Sequence, residues 1–285
     1  MRERNRELYL CGGTQSSGST LISWCFLQRQ DMNGVLDGDN DLLTEIPPHW
    51  GQPRTWYKTT ISCFRVSELM SHYEDAGWTV HPLLVVRDVR HVWASLSKKP
   101  YGRNGITAED SPLRMRLRRF KEDWEMFVRH GWPMIRYESF VAHPTEVLKS
   151  TCAQLGLEWD QTMVVWSKSS YDIASTKHGN QTFRETRGRG LLESIKTGSE
   201  SPRLGSIPPA DLEWLETEFR EFNRHNGYPS ELTRDVPAPA GSARAIPSFE
   251  MTRRHKWEIR RKPLRWFIHS LGFRTPPSAV RGLTK

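Results

Sequence analysis

The sequence predicts an α/β protein, a parallel sheet with helices on both faces in a three-layer sandwich. Strand and helix signals alternate along the chain, as crossovers between parallel strands require. The run Leu83-Leu84-Val85-Val86 is apolar on both faces of a strand, which suits a strand covered on both sides. The opening stretch, Leu8 to Leu27, passes from an apolar strand through a glycine- and serine-rich turn into an apolar helix. In that layout small residues let the backbone approach an anion, and the N–H groups of the first helical turn point at it. An ordinary capped strand-to-helix turn has the same composition.

Leu8 to Cys11 reads as the first buried strand, Gly12 to Thr20 as the turn, and Leu21 to Leu27 as the first helix. Asn33 to Asp41 is turn-rich around a short apolar centre, and Pro47-Pro48 with Gly51 to Pro53 marks a loop. Thr55 to Ile61 is rich in aromatic and β-branched residues and predicts a strand. Val66 to Ala76 sets Leu69, Met70 and Tyr73 on one face of a helix that Gly77 stops. Thr79 to Val86 is the next strand, and Val89, Val92, Trp93 and Leu96 repeat as on an amphipathic helix. Leu113 to Arg129 is a long charged helix, Met134 to Tyr137 a short strand, and Pro144 opens a helix that Gly156 ends. Ser167 to Ser206 is polar and reads as a long loop, either functional or mobile. Pro208-Pro209 opens a last helix carrying Leu212, Leu215, Phe219 and Phe222, closed by Gly227 and Pro229.

A chain of 285 residues buries one sizeable core. It has no apolar run of the roughly 18 to 20 residues that a membrane span needs. Met1 to Glu7 is charged and runs straight into the first strand, which leaves no room for a signal peptide. Cys11, Cys25, Cys63 and Cys152 form no C-x-x-C pair and each falls in or beside a predicted element, so a reduced, cytoplasmic protein is expected. The ten histidines show no metal-binding spacing, and no metal is expected. The net charge of +8 belongs to the end of the chain: residues 251–285 hold ten Lys or Arg and one acidic residue, Glu258, so residues 1–250 are near neutral. A nucleic-acid-binding body is therefore not expected. The sequence divides into a body, 1–235, and a Pro-rich linker with a basic, aromatic tail, 236–285. In the tail Arg253, Arg254, Lys256, Arg260 and Arg261 alternate with Trp257, Ile259, Trp266 and Phe267. That pattern suits peripheral contact with an anionic membrane surface, or packing on the body.

Three segments, in this order, carry a resemblance. They are the opening loop; Leu83 to Leu96 (LLVVRDVRHVWASL); and Ile135 to Phe140 (IRYESF) leading through His143-Pro144 to Leu157. Together they resemble the sulfotransferases that use 3′-phosphoadenosine-5′-phosphosulfate (PAPS). The resemblance implies a P-loop NTPase-like fold and sulfuryl transfer from PAPS to a hydroxyl or amine of a small-molecule or glycan acceptor, with no obligatory metal. It places the 5′-phosphosulfate on Ser16, Ser17, Gly18, Ser19 and Thr20, and the 3′-phosphate on Arg87 and on Ser95, eight residues further on. Tyr57-Lys58-Thr59-Thr60 looks like the family's Lys-Thr-His strand end, where the Lys contacts the transferring group. Arg187 and Arg189 lie where the family has a basic loop that closes over the 3′-phosphate.

The chain departs from that pattern twice. Ser16 and Ser17 stand where the family usually has a Lys or Arg before the glycine, which leaves Lys58 as the substitute cation. Thr60 stands in place of the histidine base. Some members use a carboxylate in the loop after the first helix, and Asp39 is the residue expected here, with Asp37, Asp41, Glu45 and His49 close by. On residue chemistry alone each assignment has a plain alternative. Arg87 can pair with Asp88, Lys58 can be a surface lysine on an edge strand, Asp39 can form a turn, and Arg187 and Arg189 can be a solvated charge run. Two other functions fit the same motifs: a non-catalytic nucleotide-binding protein and a small-molecule kinase. Ser19 stands where a kinase loop of the Gly-Lys-Ser/Thr type has its Lys, which argues against the second.

Overall fold

The computed structural model describes residues 6–40, 42, 46, 52–97, 112–169, 173, 190–196 and 204–230. Asp41, Glu45, His49, Arg187, Arg189 and the linker and tail lie outside them. Five parallel strands form one sheet: β1 (Glu7–Gly13), β2 (Met32–Gly38), β3 (Arg54–Thr60), β4 (Thr79–Val86) and β5 (Met134–Arg136). Their order is β2-β3-β1-β4-β5, with β1 paired to β3 and β4 along its whole length. The chain leaves β1 towards one edge and leaves β4 towards the other. The crevice beyond their carboxyl ends is therefore the topological switch point, where open α/β sheets place ligands.

The strand period of two sorts the core into two layers. Leu8, Leu10, Leu84 and Val86 face one side; Tyr9, Cys11, Leu83 and Val85 face the other. The first side is covered by α2 (Val66–Asp75), α3 (Val89–Leu96), α4 (Pro112–His130), α9 (Pro209–Glu218) and α10 (Arg220–Asn226). The second is covered by α1 (Ser19–Leu27), α5 (Tyr137–Ala142), α6 (Pro144–Gln154), α7 (Thr162–Val165) and α8 (Gly190–Lys196). All four cysteines are buried, and none of them is joined in a disulfide. Among the described residues no helix is long and apolar enough to cross a membrane.

The structure corrects the local reading in three places. The stretch read as turn-rich after α1 is the edge strand β2, because pairing with β3 outweighs its Asn, Gly and Asp content. Gly34 fits there because the Trp56 carbonyl lies so close that a Cβ would come within 1.8 Å of its oxygen. Residues 167–206, read as one loop, contain α8 and a short 3-10 turn, Leu204–Ser206. The last helix is two, divided at Phe219, whose ring and that of Phe222 bury together in one aromatic cluster.

Candidate functional site

β1 ends at Gly13, and the Ser17 N–H turns back to the Thr14 carbonyl at 3.1 Å. Ser16 and Gly18 both have positive φ, 68° and 86°, so the loop coils tightly before α1 begins. Gly18 is the N-cap of α1 and gives its first-turn N–H groups no side-chain cap. Ser17 and Ser19 are buried, and the Ser17 hydroxyl has no hydrogen-bond partner among the described residues. Loop, helix N-terminus and an unsatisfied hydroxyl are groups that could hold an anion.

Arg87, just after β4, and Ser95, in α3, converge on this loop. The Arg87 Nη1 donates to the Ser16 carbonyl at 2.8 Å, and the Ser95 hydroxyl lies 3.0 Å from the Ser16 hydroxyl. The Arg87 Nε is buried without a hydrogen-bond partner among the described residues. The guanidinium stacks over the Tyr137 ring, 4.4 Å from its centroid. The same ring packs on Gly18, where a Cβ would fall 2.2 Å from Tyr137 Cδ2. Tyr137 therefore supports the loop and the arginine at once.

Asp88 is engaged elsewhere. Its carboxylate caps α3 through the Arg90 N–H and pairs with the Arg90 guanidinium at 2.6 Å, in a buried cluster that also holds Glu216. The Asp88 N–H donates to Glu138 at 3.2 Å, and Glu138 accepts from the Tyr228 hydroxyl at 2.8 Å. Burial, with the Glu138 charge beside it, pushes the Tyr228 phenol well above its ordinary range, so it stays a donor. The far end of the body thus fixes the turn that carries Arg87.

Lys58 sits at the end of β3, between β1 and β2, and is only 3% exposed. Its ammonium donates to Asp37 Oδ1 at 2.7 Å and to the Thr60 hydroxyl at 2.9 Å. Asp39 is exposed, and its carbonyl accepts from the Tyr57 hydroxyl at 2.8 Å. The carboxylate that meets Lys58 is thus Asp37. A shallow cavity of about 390 Å³ at the start of β5, lined by Phe127, Trp132, Met134 and His225 among others, shares no residue with this site.

No family model matches the sequence, and no curated protein matches it. Solved structures do. The sulfotransferase domain from the curacin biosynthetic pathway superposes with a TM-score of 0.54 at 13% identity, over 80% of this chain and 99% of that one. The sulfotransferase domain of the Synechococcus PCC 7002 olefin synthase superposes with a TM-score of 0.50 at 14% identity, over 76% of this chain and 96% of that one. The chain has the sulfotransferase-domain fold.

Within this sulfotransferase fold, Arg87 and Ser95 both contact Ser16 of the loop after β1, and Lys58 lies at the neighbouring strand end. Two residues of the site had no assigned role in the sequence reading. Tyr137 stood inside a quoted segment, but nothing in the sequence says that its ring underlies both Gly18 and Arg87. Asp37 was one of several carboxylates, and only the pairing of β2 with β3 selects it.

Proposed function

We propose that this protein moves a sulfuryl group from PAPS to a hydroxyl or amine acceptor. The observation that carries the reading is the meeting of Arg87 and Ser95 at Ser16, on the phosphate-type loop of a sulfotransferase-like fold. The residues present fit the donor. The partnerless Ser17 hydroxyl and Arg87 Nε, beside the open amides of α1, are buried polar groups that phosphate oxygens would satisfy.

The donor supplies a sulfuryl group activated by its bond to phosphate. The acceptor atom forms a bond to sulfur, the sulfur–oxygen bond to the phosphate breaks, and its electron pair leaves on the phosphate. Catalysis then rests on positioning and on charge stabilisation. In this reading Lys58 meets the negative charge of the transferring group, and Asp37 takes the acceptor's proton, the role expected of Asp39 from sequence. A single pair of groups serves both ends of the displacement because their strands are neighbours.

Calorimetric titration with 3′,5′-adenosine bisphosphate (PAP), 5′-AMP and ATP tests the reading. PAP should bind more tightly than 5′-AMP by about 1.5 kcal/mol or more, the scale of charge-assisted hydrogen bonds to a second phosphate. Arg87→Ala should erase most of that preference. Equal affinity for the two nucleotides in the unmodified protein overturns it. A second reading, non-catalytic nucleotide binding, is favoured by one observation: Asp37 already neutralises Lys58. It predicts PAP binding with no conversion of PAPS. We also infer a cytoplasmic enzyme whose basic, aromatic tail holds an anionic surface, supported by the ten cations in residues 251–285.

A further inference from the structure

The end of β2 is tied down at successive residues. Asp37 accepts from Lys58 at 2.7 Å. Gly38 lies against the Tyr57 ring, where a Cβ would fall 2.2 Å from Cζ. The Asp39 carbonyl accepts from the Tyr57 hydroxyl at 2.8 Å. Asn40 completes the set. Its Oδ1 accepts from the N–H groups of Cys63 and Phe64, each at 2.7 Å, and from the N–H and hydroxyl of Ser62, each at 3.2 Å. Its Nδ2 donates to the Phe64 carbonyl at 3.1 Å. The turn that receives it is braced from behind, since Arg119 donates to the Ser62 carbonyl at 2.7 Å and Asp123 caps the start of α2.

This bracket stands where the sheet stops providing one. The ladder between β2 and β3 loses its regular register between Val35 and Gly38, so backbone pairing does not fix Asp37. The Asp37 side chain is 35% exposed, and an exposed carboxylate exchanges partners readily with water unless its backbone is held. We propose that Asn40 is a positioning residue: it locks the end of β2 to the turn after β3 and thereby holds the Asp37 carboxylate on the Lys58 ammonium. The inference rests on the reading of Asp37 and Lys58 as the transfer pair. Asn40 touches neither group, and acts through the three peptide units between it and Asp37.

The test uses the full-length protein and the variants Asn40→Ala, Asn40→Ser and Asn40→Asp. The Asn40→Asp side chain can still accept the three N–H groups, while its second oxygen replaces the Nδ2 donor and faces the Phe64 carbonyl without a hydrogen bond. The first readout is the ¹⁵N signal of the Lys58 ammonium, assigned by its loss in Lys58→Arg. Its exchange with solvent should quicken about tenfold or more in Asn40→Ala and Asn40→Ser, and stay within about threefold in Asn40→Asp. PAP affinity, by calorimetry, should stay within about twofold in all three, because the phosphate loop is untouched. Transfer of the sulfuryl group from PAPS to water, followed as PAP formed, should fall about tenfold or more in Asn40→Ala but less than about threefold when that change is made in Asp37→Asn. An unchanged Lys58 signal in Asn40→Ala or Asn40→Ser overturns the inference. So does an Asn40→Asp protein as impaired as those two, or a full loss of rate in the Asp37→Asn background. Failure of the unmodified protein to bind PAP overturns the nucleotide reading instead, and the Lys58 signal still decides whether Asn40 holds Asp37.

Discussion

Gly18 shows how closely the site is packed at the scale of single residues. Its φ of 86° puts it in the left-handed region, and the Tyr137 ring fills the space where a side chain would go. Gly18→Ala should therefore cost about 1 to 3 kcal/mol of stability, from left-handed strain and the collision together. In a Tyr137→Ala background the collision disappears, and the cost of Gly18→Ala should fall to about 1 to 2 kcal/mol, that of the strain alone. Urea denaturation of the four proteins measures both terms. A Gly18→Ala protein as stable as the unmodified one would show that the loop relaxes away from Tyr137. The sequence made Gly18 legible as a turn glycine. It could not reveal the ring, which lies more than a hundred residues further along the chain.

At the scale of elements, α2 depends on a buried acid from another helix. Asp123 of α4 accepts from the Val66 N–H at 2.7 Å and from the Ser67 N–H at 3.2 Å, the open amides of the first turn of α2. Burial pushes its carboxyl up from 3.8 to about 7, against the hydrogen bonds that favour the charged form. The folded state therefore keeps a proton that the unfolded chain releases. Below the unfolded value both states hold it, and through the window from about 4 to about 7 stability falls as pH rises. Asp123→Asn removes that titration. The stability of the variant relative to the unmodified protein should increase between pH 4.5 and pH 7.5, as measured by urea denaturation at each pH. A difference that does not change with pH would mean that Asp123 is ionised throughout. The sequence marked α4 as a charged helix with Leu117, Phe120, Trp124 and Phe127 on its apolar face. Asp123 lies beside that face and carries no local sign that it caps a helix 57 residues earlier.

Across the whole molecule, the last described residues of the body pack against the turn that carries the site. Arg90 joins Asp88 to Glu216 and to the Pro229 carbonyl, and Tyr228 reaches Glu138, so residues 216–229 brace the Arg87 turn. All of these groups precede the linker. Removal of residues 236–285 should therefore leave PAP affinity unchanged within about twofold, as measured by calorimetry. The tail reading is checked by sedimentation with anionic liposomes. The full-length protein should pellet at low salt and be released as salt is raised, and the truncated protein should stay in the supernatant. A full-length protein that stays in the supernatant at low salt would return the tail's aromatic residues to packing on the body.

Local chemistry in the sequence determined the alternation of strands and helices, the glycine- and serine-rich loop and the Arg87–Ser95 spacing. These are short-range features: an apolar run, a turn residue or one helical period fixes each of them. Tertiary structure decided what needs two distant segments at once. It made a strand of residues 32–38 by pairing them with β3, which selected Asp37 rather than Asp39 as the partner of Lys58. It gave Asp88 to Arg90 and so left Arg87 to the loop after β1, and it set Tyr137 beneath both. A residue's propensities report its own backbone and its near neighbours. The partner of a buried charge is set by which strands lie side by side, and that order, β2-β3-β1-β4-β5, is written in no single stretch of the chain.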